Sequence, residues 1–146
     1  MQAHSGNTGF PARARPFPFP ALADPDDAQD GDDATPVLDV GQFARLRARM
    51  PPRGLEQFLS SYLLDAEFQL AEIARARDPA RIAAAARLLA NLAAEAGAMQ
   101  TRAAARHLED ACHTHDARRT RRSAATLRHA CARADRLLRG FLAAQP

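Results

Sequence analysis

The side chains with the most obvious chemistry lie close together: His107, Cys112, His113 and His115. Imidazole nitrogen and thiolate sulfur are the donors that zinc takes in four-coordinate sites. Their spacing fits neither a closed zinc finger nor a histidine pair one helical turn apart. Cys112 falls on the apolar side of its helix, while His113 and His115 fall in a polar turn, so the group reads as a solvated turn and no metal or cofactor is expected. A second concentration is Arg118, Arg119, Arg121 and Arg122, crowded into the first turns of a predicted helix. Positive charge there opposes the helix dipole, so a compensating anion is expected. An acidic protein surface, the acidic stretch of this same chain, or nucleic-acid phosphates would serve. Neither interleaved aromatics nor a recognition-helix turn accompanies the cluster, so nucleic acid is the least favoured of the three, and a merely solvated arginine-rich face is the plainest alternative. No phosphate loop, nucleophile elbow or persuasive carboxylate pair occurs, so the chain is not read as an enzyme.

These groups must be positioned by helices, and the helix that organises the rest runs from Pro79 to Gly97. Ile82, Ala85, Ala86, Leu89, Leu92, Ala93 and Ala96, set at about 100° per residue, gather within a sector of about 120° and predict a buried stripe. Arg87 points away from that stripe, with Ala83, Ala84, Ala90, Asn91, Ala94 and Ala98 around it. A face so small and flat predicts a docking surface centred on Arg87.

The other elements follow the same periodicity. Thr35-Pro36 reads as a helix start, with apolar residues Val37, Leu38, Val40, Phe43, Leu46 and Met50 before Pro51-Pro52 ends it. From Arg53 to Arg77 the recurrence of Leu55, Phe58, Leu59, Tyr62, Leu63, Ala66, Leu70 and Ile73 predicts a long helix. Asp78-Pro79 stops it and caps the next, and so short a connection makes the two antiparallel neighbours. Gly97 marks a break, after which Thr101 to Cys112 buries Ala104, Leu108, Ala111 and Cys112. Asp116 caps the last helix, Ala117 to Leu142, whose inner face is Ala124, Leu127, Ala130, Cys131, Ala134, Leu137, Leu138 and Phe141. The fold class predicted is all-α: an up-down-up-down four-helix bundle with an additional short N-terminal helix.

Composition agrees with one such domain over 36-146, preceded by an acidic, proline-rich tail over 1-35 that is expected to be disordered. Hydrophobic residues make up 47% of the chain and aromatics only 5%. Alanine therefore dominates the core, and the helices must pack closely. Residues 1-40 hold two Arg against seven Asp, a balance of −5, and residues 41-146 hold 18 Arg against ten acidic residues, +8. Attraction between tail and last helix follows from that asymmetry. Within the tail, Arg15-Pro-Phe-Pro-Phe-Pro20 favours an extended polyproline-like strip, a short linear motif for a partner or else a plain linker. Cys112 and Cys131 sit in apolar helical patterns and predict reduced, buried thiols. No targeting peptide and no apolar run long enough for a membrane span is read, so a cytoplasmic protein, monomeric or weakly dimeric, is expected.

The order Pro36-Val-Leu-Asp39, Leu55-Glu-Gln-Phe-Leu59 opening a long helix, Asp78 before the next, Gly97-Ala98 after it and Leu108-Glu109 on the fourth resembles a histidine-containing phosphotransfer (HPt) domain over residues 36-143. Such domains are helical bundles that pass a phosphoryl group between receiver domains through one exposed histidine, in the pattern His-x-x-Lys-Gly-Ser with Gly-Ala several residues later. Setting that Gly-Ala on Gly97-Ala98 carries the histidine onto Arg87, the lysine onto Ala90, the glycine onto Asn91 and the serine onto Leu92, none of which matches. Arginine cannot accept the phosphoryl group, because its guanidinium stays protonated and has no lone pair to attack with. The resemblance therefore implies a degenerate member of phosphorelay signalling. It would dock a response-regulator receiver domain or a histidine kinase without carrying phosphate. Two alternatives stay open: phosphotransfer through another histidine, His107, and a basic helical adaptor or nucleic-acid-associated regulator built on the last helix.

Overall fold

The computed structural model describes residues 35–145. The tail over 1-34 and its Pro-Phe strip lie outside the described residues. Five helices follow one another: α1 (Val40–Arg49), α2 (Pro52–Arg75), α3 (Pro79–Ala96), α4 (Met99–His113) and α5 (Ala117–Ala143). Among the described residues there is no strand. Helices α2 to α5 pack in order and α5 returns to α2, closing an up-down-up-down bundle, with α1 laid against α2. The all-α architecture read from periodicity is the one observed.

Local chemistry sets the helix ends. Asp78 accepts from Ala80 N at 3.0 Å and Pro79 occupies the first turn of α3, where a missing N–H costs nothing. Asp116 accepts from both Arg118 N (3.0 Å) and Arg119 N (3.1 Å) at the start of α5. Pro51-Pro52 does two jobs: α1 stops at Arg49, and Pro52 sits in the first turn of α2, one residue earlier than periodicity places it. The α2 helix ends at Arg75 rather than Arg77.

The first helix begins differently from the expected Thr35-Pro36 start. Asp39 caps it, accepting from Gln42 N at 3.0 Å, and Val40 is its first residue. The preceding segment has another task. Asp39 N donates to Gly97 O at 2.7 Å, Met99 N donates to Val37 O at 3.1 Å, and Gln100 Nε2 donates to Thr35 O at 2.9 Å. Ala98, which caps α4, has no side-chain oxygen to offer the orphan N–H groups of the first turn, so the Val37 carbonyl supplies one. Residues 35 to 39 are thereby pinned along the α3–α4 junction, with Val37 and Leu38 buried.

That junction turns on Gly97, whose φ of 76° is left-handed. Ala98 N reaches Ala93 O at 2.9 Å and Gly97 N reaches Ala94 O at 3.4 Å, the paired bonds of a Schellman cap. The core below is built from Leu59, Leu89, Leu108, Leu127 and Leu138, all fully buried, each contributing about 1.5–3 kcal/mol. Alanines fill the space between them: Ala86, Ala93, Ala96, Ala105 and Ala134 have no exposed surface. Helices separated by methyl groups approach closely, and α3 and α4 make the most extensive contact of the bundle. Phe43 of α1 meets Phe141 of α5 edge to face, centroids 4.9 Å apart, and the Arg47 guanidinium lies 5.9 Å from the Phe141 ring centre. This contact ties the short first helix to the end of the last.

Candidate functional site

Arg87 stands midway along α3 because the buried residues around it, Ala86, Leu89 and Ala90, turn its side chain to the surface. Its side chain is 64% exposed but not unattached: Nε donates to Glu109 Oε1 of α4 at 2.8 Å, and Nη2 lies 2.7 Å from the same oxygen. Nη1 has no partner among the described residues. Glu109 is the less exposed member at 19%, so the carboxylate is partly sunk in the α3–α4 seam and the guanidinium lies over it.

The predicted face around Arg87 needs correction. Ala84 and Asn91 are exposed and Ala94 is half-buried, but Ala83, Ala90 and Ala98 are buried and cannot touch a partner. The physical reason is that α3 packs between two neighbours, α2 and α4, so more than one sector of it is covered. Ala83 and Ala90 lie on the same flank of α3 as Arg87, whose guanidinium pairs with Glu109 of α4. Ala98 belongs to the junction covered by residues 37 to 39. Conversely, Ile82 and Leu92, expected in the stripe, are only half-buried and pack against its edge.

Three exposed large apolar side chains were missed by the sequence reading. Leu88 is 53% exposed, about 100° further round α3 on the flank away from α4. On α2, Leu64 (68%) and Phe68 (58%), one turn apart, are exposed on the side away from Leu59, Leu63 and Ala66. The signal was in the sequence: Leu64 and Phe68 fall outside the three-and-four spacing of the α2 stripe.

The other chemical candidates do not converge. His107, His113 and His115 are exposed and Cys112 is buried. Among the described residues no three His, Cys, Asp or Glu side chains gather closely enough to hold a metal ion. His113 ends α4 and His115 takes a left-handed φ of 54° in the following turn. Cys112 and Cys131 are free thiols. Burial pushes Cys131 up to about 12, only partly offset by nearby Thr101, and burial raises Cys112 as well. Neither is a nucleophile near neutral pH.

From α2, α4 and α5 come three buried polar atoms, Tyr62 Oη, Thr101 Oγ1 and Asp135 Oδ1, without a well-formed hydrogen bond. Burial, then the charges of Cys131 and Asp135, raise the Tyr62 phenol above its ordinary value. The same burial raises the Asp135 carboxyl; Arg139 pulls it down and Glu67 pushes it up. The basic cluster is the reverse, with Arg118, Arg119, Arg121 and Arg122 all exposed on α5.

Compared with known proteins, the chain matches no family model, no curated protein and no solved structure. No helix among the described residues is long and apolar enough to cross a membrane.

Proposed function

We propose that the chain is a non-catalytic, HPt-like binding module of bacterial phosphorelay signalling that docks a response-regulator receiver domain through the α2–α3 surface around Arg87. The observation that carries the reading is the exposure of Arg87 midway along α3, with Leu88 next to it in the chain more than half exposed; on α2, Leu64 and Phe68 are more than half exposed as well. Large apolar side chains left exposed can mark a protein-binding surface. A receiver domain brings carboxylates around its phosphorylated aspartate, and the guanidinium suits that partner because its planar donors pair carboxylate or phosphoryl oxygens two at a time. Ala84 and Asn91 keep the approach low on either side of Arg87.

The reaction itself has no chemical basis at this position. Transfer needs a nitrogen lone pair to attack phosphorus, and arginine has none to give. The module would instead hold a receiver domain away from its productive partners, or hold a phosphorylated one intact.

Calorimetric titration with phosphorylated receiver domains from the same organism tests the proposal. A saturable complex is expected, weakened about tenfold or more by Arg87→Glu, a loss of about 1.4 kcal/mol or more. Absence of any complex overturns it. Acid-labile phosphate on this chain that disappears in His107→Gln would replace it with active transfer through α4.

A further inference from the structure

The α5 helix carries a second surface that the receiver-docking reading leaves unused. Arg118, Arg121, Arg122, Arg128, Arg136 and Arg139 are all exposed. At about 100° per residue they fall within a sector of about 120°, on the side opposite Leu127, Ala134 and Leu138, which are buried. At about 1.5 Å per residue this face is about 32 Å long. Among the described residues the ion pairs within 4 Å are Arg75–Glu72 and Arg87–Glu109, so no α5 arginine takes part in one. The one acidic residue within the helix, Asp135, is half-buried on its flank. A row of like charges on one face, with Asp135 near Arg139 as the one carboxylate of the helix on its flank, repels itself and attracts a linear polyanion.

The same chain supplies such a polyanion at the right place. Asp24, Asp26, Asp27, Asp30, Asp32 and Asp33 lie within ten positions, and no basic residue falls between Arg15 and Arg45. The segment joins the fold at Thr35, and that point is fixed beside α5. Gln100 donates through Nε2 to Thr35 O at 2.9 Å and accepts from Arg133 Nε on its Oε1 at 3.0 Å. One side chain thus bridges the start of the described chain to the flank of the arginine face. From Arg133 the face extends about 22 Å to Arg118 and about 9 Å to Arg139. Eleven extended residues, from Asp24 to Thr35, span up to about 36–40 Å, enough to reach either end. So short a tether gives an effective concentration in the millimolar range, and individually weak attractions then suffice.

We propose that the acidic segment Asp24–Asp33 lies along the arginine face of α5, covering it within the same molecule. The cover makes that face conditional: a competing polyanion gains access only by displacing the segment, and rising salt loosens it. It also answers the unfavourable crowding of arginines at the N-terminus of α5, where negative charge is favoured. The inference is independent of the α2–α3 surface.

The test is paramagnetic broadening in the full chain. Ala28→Cys takes a nitroxide maleimide selectively, because Cys112 and Cys131 are buried. At low salt the amides of Ala125, Ala132 and Arg136 are expected to lose most of their intensity, while those of Ala84 and Asn91 on α3 keep theirs. The loss should disappear in 1 M salt, where the screening length is about 3 Å. It should also disappear when the six Asp are changed to Asn, a variant that leaves the helical bundle untouched. Unbroadened α5 amides at low salt overturn the proposal, as does broadening centred on α2 and α3. Broadening that appears only between labelled and isotope-labelled copies in a mixed sample assigns the face to a second molecule and equally overturns it.

Discussion

Arg87 of α3 and Glu109 of α4, 22 positions apart, meet through two guanidinium nitrogens on one carboxylate oxygen, at 2.8 and 2.7 Å. The pair spans the most extensive helix contact in the bundle and sits at the edge of the proposed docking surface. It holds the arginine in place and partly neutralises it. A partner carboxylate must therefore compete with Glu109 for the same cation.

Replacing Glu109 with Gln should strengthen receiver binding. The amide keeps the shape of the side chain but removes the competing charge, leaving the guanidinium free for the partner. A two- to fivefold gain in affinity is expected, corresponding to about 0.4–1 kcal/mol. A loss of affinity would mean that Glu109 acts by orienting Arg87 rather than by competing for it. In folding, the Arg87–Glu109 coupling from a double-mutant cycle should be small, about 0.2–1 kcal/mol, since the arginine is largely solvated.

Gly97→Ala should destabilise the domain by about 1–2 kcal/mol, read from the urea midpoint at constant slope. The φ of 76° is strained for any residue with a Cβ. A Cβ there would also come within 3.3 Å of Gln42 Cγ, tighter than ordinary packing. The turn is where Asp39 N is received and from which α4 starts, so the loss should be accompanied by earlier hydrogen exchange at Asp39 and Met99 than elsewhere in the core. An unchanged midpoint would show that the junction relaxes at little cost.

Much of this architecture was legible because it rests on local rules. Asp78-Pro79, Gly97 and Asp116 each announce a helix end through side-chain chemistry that acts within a few residues, and all three act as read. The α2 stripe was equally plain, since leucines and a tyrosine at three- and four-residue spacing leave one face to bury. What could not be read was how many neighbours α3 has. Alanine is compatible with solvent or with a close helix contact, so Ala83 and Ala90 read as part of an open face, yet both are buried. Thr35-Pro36 misled for a related reason. A local cap signal competes with long-range hydrogen bonds, and here Val37 O and Asp39 N are taken by Met99 and Gly97. At the candidate site, Arg87 was found by its position on the wheel, while Glu109 could be recognised as its partner only once α3 and α4 were placed side by side.

Asp135→Asn should raise the melting temperature at pH 7, and the gain should vanish near pH 3. Burial raises the Asp135 carboxyl above its ordinary value, with Arg139 opposing and Glu67 reinforcing the shift, so the folded protein holds this proton more tightly than the unfolded chain does. Stability is therefore highest below the unfolded value, about 3.9, where both states are protonated at this group. It falls as pH rises through the window between the unfolded and the raised folded values, and stays lower above it. Asparagine removes the ionisation and with it the penalty, while keeping a hydrogen-bonding group beside the buried and unpartnered Tyr62 Oη and Thr101 Oγ1. Thermal unfolding of both proteins from pH 3 to pH 8 should give curves that converge at the acid end and diverge toward neutrality. If the asparagine variant instead melts lower at pH 7, the attraction of Arg139 outweighs desolvation, and the carboxylate stabilises the α5 flank in its charged form.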